Sequence, residues 1–275
     1  MARFTAIVLF VLLTVLTQIG GMVLLLVWGM SRLMPRTMGA WRRATINAVI
    51  FAASYAVVSV LVVPPLAALG GRVPLPCWAE SDRAVAAGSV LVCVLNRHYV
   101  VPDLVVLVTE LSREIDRAFP GTTTLFLDAG FPFLNGFPLL PHLSHSDGRK
   151  LDIAFYYADP DGRYLPAAMR SPIGYWAFEQ PAAGDSSPCG AQSALSLRWN
   201  LDILQDKFPD RLLEPRRTSA ALQWLLSEGL RFKVDRIFVE PYLAARLGAG
   251  ASPALGFQGC RAARHDDHIH IQIKP

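Results

Sequence analysis

The chain has 275 residues, a formal net charge of +4 and an apolar fraction of 52%. The positive excess lies at the front: residues 1–72 hold six of the 26 basic residues and no acid, leaving 20 basic against 22 acidic residues from position 73 onward. A nucleic-acid-binding domain carries its cationic excess on the folded part, so nucleic acid is excluded as a partner and the basic front points to a membrane.

Residues 4–31 carry no charged side chain, and Ala6–Trp28 is almost wholly apolar. At about 1.5 Å per residue such a helix crosses a hydrocarbon layer of roughly 30 Å. A second uncharged stretch runs from Ala44 to Gly71, with Ile46–Val63 as its spanning part and Pro64-Pro65 as its end. A cleaved signal peptide competes for the first stretch, but the apolar run is too long and lacks a small-x-small cleavage site. The expectation is therefore a membrane anchor over residues 1–71 with two transmembrane helices. Arg32, Arg36, Arg42 and Arg43 lie between the two, against a lone Arg3 at the N-terminus. The positive-inside rule makes that connector cytoplasmic. Everything after the second helix then lies outside, on an inner membrane with an extracytoplasmic, periplasmic domain.

Residues 72–99 read as a linker or peripheral segment, in which the apolar run Ala84–Asn96 is either a buried element or a helix lying on the membrane. Cys77, Cys93, Cys189 and Cys260 all follow the second span. An even number of cysteines in an oxidising compartment is compatible with two disulfides, in any of three pairings; buried free thiols are the alternative. None has CxxC spacing, which argues against a thiolate zinc site.

The folded domain is expected over residues 100–275. Pro102-Asp103 opens a helix, with proline in the first turn and an acid at the positive end of the dipole. Leu104, Leu107, Val108 and Leu111 follow at helical spacing, and Pro120-Gly121 ends the run. Thr122–Leu127 reads as a strand, and residues 128–141 as a long, glycine- and proline-rich loop of the kind that is often functional. Asp147-Gly148 is a hairpin-turn signal, Leu151–Tyr157 a strand, and residues 158–192 an irregular segment. A helix near 218–229, a strand at Arg236–Val239 and a closing strand at His268–Ile273 complete an α+β pattern.

Five of the six histidines fall in two short fragments, His142-Leu-Ser-His145-Ser-Asp-Gly-Arg-Lys-Leu-Asp152 and His265-Asp-Asp-His268-Ile-His270. Zinc takes neutral imidazoles and carboxylates around a tetrahedron, with one position open when it does chemistry. If Asp147-Gly148 forms a two-residue hairpin turn, His145 faces Lys150 and becomes the diagonal same-face neighbour of Asp152. In the last strand, alternate residues share a face, so His268, His270 and Gln272 point one way and Ile269, Ile271 and Ile273 point into a core. His98, outside both fragments, reads as structural.

His145-x-x-Gly148-x-x-x-Asp152 followed by His268-x-His270 resembles the LAS-type zinc peptidase superfamily, which includes D-Ala-D-Ala carboxypeptidases, murein endopeptidases and the hedgehog signalling domain. Among these it is most similar to the penicillin-insensitive murein endopeptidases, in His142, in His265, and in an Ile237-Phe238-Val239 strand followed by a helix-like segment. The resemblance covers roughly residues 100–275. It implies His145, Asp152 and His270 as ligands of Zn2+, with His268 and His265 flanking the reacting water as base and transition-state stabiliser and His142 nearby. Asp267 matches the spacing of a base in some relatives, yet strand alternation puts it on the Ile face unless it precedes the strand. Carboxypeptidase relatives place an arginine ahead of the His-x-x-Gly motif to grip a substrate carboxylate. No Lys or Arg occurs here from Ala118 to Gly148, which favours cleavage within a peptide bridge.

The expected protein is thus an α+β domain, a small antiparallel sheet with flanking helices carrying a zinc site, preceded by two transmembrane helices. Its expected activity is that of a peptidoglycan-cleaving zinc metallopeptidase of the murein endopeptidase kind, with peptidoglycan peptides and the membrane as partners. The alternatives are a D,D-carboxypeptidase and a non-catalytic zinc-binding ectodomain for wall binding or signalling.

Overall fold

Ile269, Ile271 and Ile273 alternate with His268, His270 and Gln272 along the last strand, and this alternation organises the domain. The computed structural model describes residues 2–35, 37–79, 84–185, 189 and 198–275. Its main sheet is mixed and six-stranded, built from β2 (Val85–Ala87), β4 (Thr124–Phe126), β5 (Lys150–Ala154), β10 (His268–Ile273), β8 (Val234–Phe238) and β9 (Leu255–Gly256) in that spatial order. The central pairs β4–β5, β5–β10 and β10–β8 are antiparallel, while β2 and β9 join the edges in parallel. Two-stranded pairs form between β1 (Val73–Pro74) and β3 (Tyr99–Val100), and between β6 (Tyr157–Ala158) and β7 (Leu212–Leu213).

One sheet face is apolar. Leu151 and Ile153 of β5 and the three isoleucines of β10 pack there against the helices Pro102–Ala118 and Pro215–Leu226. Leu104, Leu107, Val108 and Leu111 of the first helix are fully buried, as their spacing requires for a helix that lays one stripe on a sheet. The helix starts at Pro102, where a missing N–H costs nothing. The opposite sheet face carries Asp152, His268 and His270, all buried.

Residues 72–99, expected as a linker or peripheral segment, supply β1, β2, the short helix Val90–Val94 and β3. Their β2 is the edge strand of the main sheet. The apolar run Ala84–Asn96 divides between β2 and that helix, whose Val90, Leu91 and Val94 are exposed. The four cysteines pair as Cys77–Cys93 and Cys189–Cys260.

The front of the chain corrects the two-span expectation. Among the described residues one helix, Ala40–Leu69, is long and apolar enough to cross a membrane, with 30 residues and a mean hydropathy of 2.3 in its most apolar window. It does not end at Pro64-Pro65. Instead a π-helical stretch, Val58–Val62, precedes the prolines and the helix runs on to Leu69; a wider turn there accommodates residues that cannot donate a backbone bond. The first apolar run is broken into α1 (Ala2–Thr17) and α2 (Gly20–Ser31). Gln18 adopts a left-handed φ of 65°, and α2 folds back along α1, so that Phe10, Leu13, Leu24 and Val27 line a common groove with Phe51 of the long helix. Gly20-Gly21 makes this turn possible: a Cβ on Gly21 would lie 2.0 Å from Thr14 Oγ1. At about 1.5 Å per residue both pieces fall short of a roughly 30 Å hydrocarbon layer.

Candidate metal centre

Antiparallel pairing of β5 with β10 sets His270 directly opposite Asp152. Their side chains meet with Nδ1 2.8 Å from Oδ1. His145 arrives from the 128–148 loop, with Nε2 3.1 Å from His270 Nδ1 and 3.3 Å from Asp152 Oδ1. Three donor atoms from three separate segments thus form a small triangle. Ligand atoms around a tetrahedral zinc at about 2.0–2.2 Å lie roughly 3.3–3.6 Å apart, so the triangle needs little expansion to hold one ion.

Hydrogen bonding orients both imidazole rings. The His145 Nδ1–H donates to the Ala129 carbonyl at 2.8 Å, which leaves Nε2 bare. The Gln272 amide nitrogen donates to His270 Nε2 at 3.1 Å, so that without a metal the His270 Nδ1–H donates to Asp152 Oδ1. Turned over, so that its oxygen accepts the Nε2–H, the same amide would free His270 Nδ1, and two imidazole lone pairs and a carboxylate would then converge on a cation. The chemistry of the donor set fits zinc.

Asp152 is fully buried, yet among the described residues no Lys or Arg pairs with it. Burial alone would raise its carboxyl pKa, but the imidazoles of His145, His268 and His270 hold it well below the usual carboxylate range. Burial outweighs Asp152 at His270 and lowers that imidazole to about 4, so it is neutral and able to ligate. The second oxygen of Asp152 accepts from the Tyr175 hydroxyl at 2.7 Å, and that hydroxyl accepts the Asp128 N–H at 2.9 Å.

His268 lies on the same face of β10, with Nε2 3.5 Å from Asp152 Oδ1. Its Nδ1–H donates to Asp267 Oδ1 at 2.5 Å. Burial opposes the charge on His268, but Asp152 and Asp267 prevail and push it up to about 9. Asp267 precedes the strand, so it escapes the Ile face; its other oxygen accepts the Trp176 N–H at 2.6 Å. Trp176 has a left-handed φ of 72°, a costly conformation for a bulky residue, which that bond helps to hold. His265 packs its ring against His268 and His270 at 5.0 and 5.5 Å. Burial, then His268 and His270, push its pKa well down, so it is neutral. His265, His268 and His270 form a second set close enough for one ion, sharing His270 with the first. Cys77, Cys93 and His98 also cluster, but the two sulfurs are joined in a disulfide.

His142 does not reach the donor triangle. Its Nδ1 lies 3.0 Å from Asp128 Oδ2 and 3.6 Å from Asp152 Oδ2. Asp128 is clasped by Arg97 through bonds of 2.7 and 2.6 Å. Burial works against its charge, yet His142 and Arg97 keep its pKa below the usual range.

The hairpin expected at Asp147-Gly148 does not form. Residues 143–146 make no strand; Asp147 instead accepts the Arg149 N–H and binds Lys150 Nζ, closing a local turn. The loop is held by Tyr99 N–H on the Gly130 carbonyl and Val101 N–H on the Gly148 carbonyl, and these contacts bring His145 to Asp152. Sequence reasoning also missed Tyr175, Asp128 and Arg97. Tyr175 lies in an irregular segment with no periodicity to flag it, whereas Asp128, at the end of β4 and the start of the long loop, had a positional signal.

Beside His268 opens a narrow cleft of about 90 Å³, lined among others by Tyr175, Trp176, Trp199, Arg264 and Asp267. A scan of the chain against protein-family models finds no match, and a search of curated proteins finds none either. The reading of the site therefore rests on the residues and their geometry.

Proposed function

We propose that this chain is a membrane-anchored zinc metallopeptidase that hydrolyses a peptide bond in peptidoglycan cross-links, in the manner of the murein endopeptidases it resembles. The observation that carries the reading is the convergence of His145, Asp152 and His270, with the Asp267–His268 pair aimed at the same point. Zinc on those three donors supplies Lewis acidity to a peptide carbonyl and lowers the pKa of water toward 7. His265, neutral and adjacent, accepts a proton from the reacting water. His268, held by Asp267, keeps a proton at Nε2 to stabilise developing negative charge and to pass to the leaving amine. Trp176 and Trp199 provide apolar walls for the substrate peptide.

An internal bond is favoured over a free C-terminus. Among the described residues lining the cleft the one Lys or Arg is Arg264, whose Nε and Nη2 are already spent on Asp266, and the protonated His268 is held by Asp267. The membrane reading rests on the helix Ala40–Leu69 as the span, with the α1–α2 hairpin packed beside it. Arg32, Arg42 and Arg43 lie at the helix ends remote from the domain, and the positive-inside rule favours the cytoplasm for that end. Two disulfides suit an oxidising, extracytoplasmic compartment.

The test is digestion of cross-linked muropeptides by the purified full chain in detergent, followed by mass spectrometry. The proposal expects cross-links to be cut, the activity to vanish with a chelator, and zinc to restore it. Zinc-loaded protein that cuts nothing in a broad muropeptide panel would favour the non-catalytic ectodomain instead.

A further inference from the structure

Arg72 follows the long apolar helix by three residues, yet it is buried at 2% exposure. Its guanidinium donates to the Phe131 carbonyl, to Asn135 Oδ1 and, at 3.4 Å, to the Ser146 carbonyl. It also packs against Gly148, where an added Cβ would stand 3.1 Å from Arg72 Nε. One side chain therefore ties together both ends of the loop that bears His142 and His145. A second tie comes from the turn between α1 and α2: Gln18 Oε1 accepts the Phe133 N–H at 2.8 Å. Around it Ile19, Val63 and Ala67 pack with Tyr99 and Phe133. Further along the long helix, Tyr55 and Ser59 accept from Asn96, one residue before the Arg97 that clasps Asp128.

We infer that the membrane segment is a working part of the metal centre, with Arg72 and Gln18 as positioning residues that pin the 129–148 loop and so hold His145 at the site. Asp152 and His270 are fixed by strand pairing and need no such help. His145 has no strand beneath it. Its place depends on the Ala129 carbonyl, the backbone ties to Tyr99 and Val101, and the Arg72 clamp. Removing the clamp leaves two ordered donors and one wandering one. The fork geometry of arginine matters because it serves several acceptors at once, which a lysine ammonium on a single stem does not reproduce. The glycine at 148 has a second use here: besides its left-handed φ of 72°, it leaves room for the guanidinium.

The inference rests on the zinc reading for one of its two readouts and is independent of it for the other. The full chain in detergent micelles is compared as wild type, Arg72→Met, Arg72→Lys and Gln18→Met. Zinc affinity is read by competition with a chromogenic chelator, and backbone amide exchange by mass spectrometry. Arg72→Met should weaken zinc binding roughly tenfold to hundredfold, as for other groups that orient a ligand. It should also speed exchange across 129–148 while β5 and β10 keep wild-type protection. Gln18→Met should move the same readouts in the same direction. Wild-type loop exchange in both variants overturns the clamp, and faster loop exchange with unchanged zinc affinity overturns its link to the metal. If the wild-type chain binds no zinc, the zinc reading fails and loop exchange alone decides the clamp. If Arg72→Met loses protection throughout the domain, Arg72→Lys and Gln18→Met decide by the same criteria.

Discussion

Asp152 and His270 face each other across β5 and β10, and their side chains close to 2.8 Å on the sheet face away from the isoleucine core. The same alternation that buries Ile269 and Ile271 therefore builds half of the candidate metal centre. A one-residue slip of β10 would turn the histidines into the core and the isoleucines into the site, so the fold and the site share one register.

His268 and His265 flank the donor triangle without being needed to complete it. His268→Ala and His265→Ala should each keep zinc and lose most hydrolysis, by about 10²- to 10⁴-fold, the usual contribution of a positioned acid or base. Steady-state cleavage of a defined muropeptide alongside metal analysis checks this. Full activity in both variants would remove these residues from the chemistry.

Tyr175 donates to the Asp152 oxygen that faces away from the triangle. Tyr175→Phe should lower zinc affinity by roughly tenfold to hundredfold while keeping the shape of the core. Chelator competition measures it, and circular dichroism reports whether the fold is intact.

His98 is buried, and burial lowers its pKa to about 4. Among the described residues its Nδ1 has no hydrogen-bond partner. The unfolded chain takes up this proton near pH 6.5 and the folded one only near 4, so stability is full above 6.5 and falls as pH drops toward 4. The loss should amount to at most roughly 3 kcal/mol. His98→Phe should flatten that part of the stability–pH curve, measured by denaturant unfolding of the full chain at a series of pH values. An unchanged slope would show that His98 protonates equally in both states.

Much of the domain is legible in the residues because simple periods govern it. The β10 alternation, the Pro102–Ala118 helix and the strands at Thr124–Phe126 and Val234–Phe238 follow from spacing and from what proline permits. The features that escaped depend on long-range partners. The strand β2 has three residues and exists because β4 pairs with it. Gln18 and Gly20-Gly21 break an apolar run that composition alone reads as one span. His145 and Asp152 do come together, but through a loop pinned by Tyr99, Val101 and Arg72 rather than through a hairpin.

Zinc stoichiometry across single-site variants of the full chain tests the central claim most directly. Wild type, His265→Ala and His268→Ala should each hold about one zinc ion, and His145→Ala, Asp152→Ala and His270→Ala should hold little, because each leaves two of the three protein ligands a catalytic site requires. Unchanged zinc in Asp152→Ala together with loss in His265→Ala and His268→Ala would contradict the account and move the ion to the histidine set His265, His268 and His270.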